Sequence, residues 1–138
     1  MSTSTAHATW EGGLRTGKGH FAAKSGQFQA SFSFPTRFEG AKGTNPEELL
    51  AAAHAGCFSM ALAHGLEQAG TPVTKISTVA HVTVENLAIT RIKLETTGIV
   101  PGIDQQRFEA AAQASGKGCI VSKALASVPS IEVEAKLG

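Results

Sequence analysis

This sequence predicts an α+β fold in which antiparallel sheet packs on one long, buried central helix. Three observations carry that reading. Residues 49–63, the body of a helix running from 45 to 69, are apolar or small on every face, as in a helix covered on all sides. Phe28, Ala30, Phe32 and Phe34 alternate with Gln29, Ser31 and Ser33, and a period of two recurs over 82–95. The elements fall in the order βββ-α-ββ-α-α-β, with no internal repeat or linker, so the chain reads as one domain, 1–138.

Taken in order, His7 to Trp10 and Arg15 to Ala23 read as strands about a Gly12-Gly13 turn, and Ser25-Gly26 leads into the third strand at Phe28. Pro35 to Gly43 reads as an irregular loop. Asn45 then caps the long helix, Pro46 takes its first position, and Glu47 and Glu48 oppose the positive end of its dipole. Gly70 and Pro72 end it after roughly 37 Å of helix. Ile76–Glu85 and Ile89–Val100 form a hairpin through Asn86-Leu87-Ala88. Asp104 caps a helix over Gln105–Ser115, and Gly116-Lys117-Gly118 follows as a mobile loop. Cys119–Ala126 is a short helix and Ile131–Leu137 the last strand.

A helix apolar all round needs cover on all sides, and the strands supply it on one. A second copy of the chain, paired about a two-fold axis, covers the other most economically, although short helices of the same chain are an alternative. Twelve basic against eleven acidic residues give a formal charge of +1, which offers no electrostatic case for nucleic acid or an anionic membrane. The apolar run is broken by His54, Gly56, Ser59 and His64 and falls short of the ~20 residues of a bilayer span. The start lacks a signal-peptide pattern, so a soluble cytoplasmic protein is the expectation.

The chain has two cysteines. Alone, Cys57 on an apolar helix reads as a small core hydrophobe. Cys119, however, opens a helix, the end that attracts negative charge. Glu47, ten residues before Cys57, lies within about 80° of it on the helical wheel, whereas Glu48 lies opposite. A carboxylate beside a thiol discourages its ionisation, so Glu47 makes sense only with a cation between, and Arg37, planar and permanently charged, can take the carboxylate on one edge and face the thiolate with the other. His54 reads as a hydrogen-bonded core residue and His64 as a polar residue on the helix side. Neither has the paired spacing of a metal site, and no nucleotide-binding loop or serine elbow occurs, so no metal and no cofactor is expected.

Several blocks together are distinctive: Thr36-Arg37-Phe38-Glu39-Gly40, Gly43-Thr44-Asn45-Pro46-Glu47-Glu48-Leu49, Ala52 to Leu62, Val100-Pro101-Gly102-Ile103-Asp104, and Gly118-Cys119-Ile120-Val121-Ser122-Lys123. From Trp10-Glu11-Gly12 to the last strand the chain resembles the OsmC/Ohr family, closer to its osmotically inducible OsmC branch. One departure is Ile120, where many relatives carry proline. The resemblance implies an OsmC-like fold and an intertwined two-fold homodimer with active sites at the subunit interface. It implies a thiol-dependent peroxidase without metal or haem, reducing organic hydroperoxides and, less well, hydrogen peroxide, in oxidative or osmotic stress. By motif position it makes Cys57 the peroxidatic cysteine, Cys119 the resolving cysteine, and Glu47 the carboxylate that orients an arginine. That arginine is Arg37 in the OsmC branch; the sister branch takes it from the first hairpin, where Arg15 stands. The implied reductant is a dithiol, of lipoyl type in some members, which an apolar pocket around Phe58 and Met60 would suit. Two other readings stay open: a non-catalytic dimer that binds an apolar ligand, and a thiol redox sensor.

Overall fold

In a computed structural model, residues 1–138 are described throughout and divide into two compact units, 1–49 and 50–138. The first holds an antiparallel meander, β1 (Ala6–Glu11), β2 (Lys18–Ala23) and β3 (Gln29–Phe32). Aromatic rings fasten it, with Phe21 stacked on Phe32 at 3.9 Å between centroids and Trp10 tilted against Phe32 at 5.6 Å.

The stretch expected to be an irregular loop contains instead a short helix, α1 (Phe34–Phe38). Ser33 and Thr36 close a capping box, each side chain accepting from the other's backbone N–H at 3.3 and 2.9 Å. The long helix α2 (Pro46–Gln68) begins in this unit and continues into the second. Its start is as expected: Asn45 Oδ1 accepts from the Glu48 N–H at 2.8 Å.

In the second unit β4 (Lys75–Glu85) and β5 (Ala88–Ile99) form the expected hairpin. Its two-residue turn is Asn86-Leu87, at φ 51° and 62°, the paired left-handed conformation whose twist matches that of the strands. Then come α3 (Gln105–Gly118), α4 (Ile120–Ala124) and β6 (Ser130–Leu137).

Two expectations need correcting here. The sheet is not antiparallel throughout, since β6 runs parallel to β5, with Leu94 opposite Val133. A strand that returns after a helical crossover can lie this way, and alternation alone does not reveal strand direction. Nor is 116–118 a loop, because α3 runs through Gly118. Gly116 is buried there, and a Cβ on it would overlap a Val133 methyl, so close helix–strand approach rather than mobility accounts for the glycine.

Every second residue of β5 faces the core: Ile92, Leu94, Thr96 and Gly98. Against them pack Phe58, Leu62 and Leu66 of α2 and Phe108 and Ala112 of α3. The Phe108 ring occupies the space that a side chain at Gly98 would take. The other face is polar, with Arg91 paired to Glu132 at 2.8 Å and Lys93 to both Glu95 and Glu134 at 3.0 Å.

The central helix also differs from expectation. Its buried residues are His54, Phe58, Leu62 and Leu66, one stripe at four-residue spacing. Ala52, Ala53, Gly56 and Met60 are exposed in the single chain, Met60 at 77%. By length and composition α2 would reach across a membrane after all. Its buried stripe instead serves the core of the second unit.

Candidate active site

The first unit supplies a guanidinium held by a carboxylate. Arg37, on α1, donates from Nε to both Glu47 oxygens at 3.1 and 3.2 Å, and from a terminal nitrogen to Oε1 at 2.6 Å. Such fork geometry fixes orientation as well as charge. The α1 cap and the Pro46 start of α2 set the two backbones from which these side chains meet. Glu47 is the more enclosed partner, at 14% side-chain exposure against 40% for Arg37. The neighbouring Glu48 faces elsewhere, accepting from the Thr44 hydroxyl at 2.6 Å, as the helical wheel requires.

Beside the pair lies a cavity of about 250 Å³, lined by Trp10, Leu14, Phe32, Phe34, Arg37 and Phe38. Arg37 stacks over Phe38 at 5.1 Å, and Arg15, in the turn after β1, over Phe34 at 4.6 Å. Both candidate arginines thus touch one aromatic pair, but Arg37 alone is anchored by Glu47. A mostly apolar hollow edged by a fixed cation suits a small molecule with an apolar body and an electron-rich head.

The second unit holds both cysteines. Cys57 is half-buried and packs on the hydrophobic cluster of which Cys119 is a buried member, and both thiols are free. Cys119 is the N-cap of α4, its sulfur accepting from the Ser122 N–H at 3.4 Å. His54 is fully buried and hydrogen-bonded, as expected, with Nε2 2.7 Å from the Ser122 hydroxyl. Burial lowers its pKa below the ordinary histidine value. His64 lies exposed on the side of α2.

Ser122, 3.0 Å from the Cys119 sulfur, is the residue that sequence reasoning missed. Its signal was a hydroxyl three positions after a capping cysteine. In the single chain Phe58 is wholly enclosed in the core while Met60 projects outward, so the two do not line a common pocket within it. The aromatic hollow beside Arg37 is the one the sequence did not disclose.

Comparison with known proteins bears on the family and the fold. The family model described as "OsmC-like protein" matches residues 39–134. A curated relative from Escherichia coli (strain K12), named "Peroxiredoxin OsmC", is 45% identical over 134 residues, covering 94% of each chain. Among solved structures, an organic hydroperoxide resistance protein from Legionella pneumophila matches with TM-score 0.70 at 21% identity, over 100% of this chain and 99% of that one. The organic hydroperoxide resistance protein OhrB of Bacillus subtilis matches with TM-score 0.68 at 24% identity, over 97% and 98%. At such identities the structural likeness speaks for the fold.

Proposed function

This chain belongs to the OsmC family and is a peroxidase, and we propose that it reduces organic hydroperoxides, and hydrogen peroxide less well, by cysteine chemistry. The observation that carries the reading is one half-exposed free thiol, Cys57, packed on the same cluster as a second, buried one, Cys119. A dithiol arranged in this way can be oxidised and restored without a cofactor.

In the proposed cycle the Cys57 thiolate attacks the distal oxygen of the hydroperoxide. The O–O bond breaks, Cys57 becomes a sulfenic acid, and the alkoxide leaves to take up a proton as the alcohol. Arg37, oriented by Glu47, stabilises the charge on that leaving oxygen. Cys119 then displaces the sulfenic hydroxyl, giving a Cys57–Cys119 disulfide and water. A dithiol reductant, of lipoyl type, opens the disulfide by exchange. The cavity beside Arg37 favours an organic over an inorganic peroxide, since Trp10, Phe34 and Phe38 give an apolar group something to bury against. The working form is proposed as a two-fold homodimer of one-domain chains in the cytoplasm. The uncovered face of α2, bearing Gly56 and Met60, is the surface a second copy would cover.

The direct test is mass spectrometry after one equivalent of an organic hydroperoxide. A Cys57–Cys119 link is expected. If both free thiols survive, the peroxidase chemistry proposed for them is wrong, and inert core cysteines are the better reading. Cys119→Ser is expected to consume about one equivalent of hydroperoxide and then stall; with hydroperoxide in excess, a second equivalent takes its sulfenic acid to the sulfinic form, visible as a further 16 Da step (the mass of one oxygen).

The choice of arginine has its own measurement. Arg37→Ala is expected to slow formation of the sulfenic acid by about 100-fold, the scale for losing one charge-stabilising donor. Arg15→Ala, which removes only a stacked cation, is expected to stay within a few-fold. The opposite order in stopped-flow rates would move the role to Arg15.

A further inference from the structure

The proposed reaction leaves His54 unused, although it is a fully enclosed imidazole joined to a cysteine through one hydroxyl. We infer that His54 and Ser122 form a buried chain of hydrogen bonds that presents the Cys119 sulfur as an acceptor, making both of them positioning residues for disulfide formation. The inference rests on the peroxidase reading for its role, though not for its geometry.

The geometry is a line of short contacts among buried groups. His54 Nε2 is 2.7 Å from Ser122 Oγ, which is 3.0 Å from Cys119 Sγ. Exposure is 0% for His54 and 3% for both Ser122 and Cys119, so water does not compete. The direction of the chain follows from what lacks a partner. His54 Nδ1 is buried with no hydrogen-bond partner. An orphaned N–H costs more than an orphaned lone pair, and burial keeps the ring neutral. The single ring proton therefore resides on Nε2 and is donated to Ser122 Oγ. With that lone pair engaged, the only hydrogen of the Ser122 hydroxyl points to Cys119.

A second donor reaches the same sulfur from the Ser122 backbone N–H, at 3.4 Å. Two donors from one residue converge on an atom that must become negative to react. In the resolving step the Cys119 sulfur gives up its proton, which passes to the departing hydroxide, and attacks Cys57 Sγ in Cys57–S–OH. The S–S bond forms, the S–O bond breaks, and the departing hydroxide takes up that proton, so that water is the net product. Neither His54 nor Ser122 changes its protonation overall. They hold the acceptor geometry while charge builds on the sulfur.

The test has two arms, both on the full chain. In a Cys57→Ser background, the reaction of Cys119 with a small aromatic disulfide is timed at one fixed pH. Ser122→Ala is expected to slow it about tenfold, the scale of one hydrogen bond to a charged group. His54→Leu should slow it severalfold, and His54→Gln, which keeps a donor near the Nε2 position, should restore the rate. A merely structural role predicts the reverse, because loosening the core exposes the thiol and speeds its reaction. Rates unchanged or raised in Ser122→Ala and His54→Leu, or no recovery in His54→Gln, would overturn the inference.

In the second arm Cys57 is intact and one equivalent of cumene hydroperoxide is added. Trapping with dimedone should show sulfenic acid forming at the parent rate in Ser122→Ala, while the disulfide forms about tenfold more slowly. A disulfide formed at the parent rate would again overturn it. Failure of the parent chain to form any sulfenic acid would remove the peroxidase reading, with the hydrogen-bond chain still judged by the first arm.

Discussion

Cys57→Ser is expected to reduce hydroperoxide turnover to the uncatalysed background, a loss of at least about 1,000-fold in kcat/KM. A serine hydroxyl is nearly isosteric with the thiol, so packing on the cluster around Phe58 and Leu62 is conserved. The chemistry is not. A hydroxyl ionises some orders of magnitude less readily than a thiol, and its oxygen has no counterpart to the sulfenic acid. Cys119 remains in this variant and would be the obvious substitute, but at 3% exposure it does not meet substrate in the closed protein. The measurement is coupled turnover of an organic hydroperoxide with a dithiol donor, with circular dichroism to show the fold retained. Sustained turnover in the variant would remove Cys57 from its assigned role.

Phe108→Ala is expected to cost about 3–5 kcal/mol of stability, the range for emptying a buried aromatic position. Its ring is fully enclosed and occupies the volume over Gly98, so the lost contacts have no alternative neighbour. For a chain of this length that corresponds to a fall in Tm of roughly 10–17 °C. The same geometry makes a sharper prediction for the partner position. Gly98→Ala alone should be strongly destabilising, because its methyl overlaps the Phe108 ring. In the Phe108→Ala background the methyl instead enters the vacated space. The double variant should therefore be more stable than the sum of the single effects requires, by about 1 kcal/mol or more. Denaturant melts at one fixed protein concentration read both values. Simple additivity would mean that ring and glycine are not in contact.

How legible the chain was depended on whether a feature is fixed by neighbouring residues or by distant ones. The cap and start of α2, the β4–β5 hairpin and the capped start of α3 were readable because each is set within a few residues of sequence. The parallel pairing of β6 was not, because Ile131, Val133 and Ala135 alternate identically whichever way the strand runs. Gly116 read as a breaker because the residue that makes it useful, Val133, lies 17 positions away. The short helix α1 was hidden by Pro35, which a first turn tolerates, and by a length too small to show a period.

The candidate site divides along the same line. Arg37 and Glu47 could be paired from helical spacing and resemblance, and the structure joins them through a fork of hydrogen bonds. Cys57 and Cys119 were visible as the two cysteines of the chain, and the structure packs both on one cluster. Ser122 was not visible, since its meaning depends on His54, 68 residues earlier, being enclosed beside it. Hydrogen bonds over such separations exist only once the core has formed.

The parallel β5–β6 ladder has a consequence for the order of assembly. On the edge away from β4, residues 91–98 find their partners only among 130–137, so the loop that must close is longer than that of any hairpin in the chain. During synthesis the β4–β5 ribbon and α2 can associate early, whereas one flank of β5 stays open until the final strand has left the ribosome. For that interval the nascent chain carries an unpaired, half-apolar strand edge, the surface on which a chaperone, or a neighbouring nascent chain, would act first.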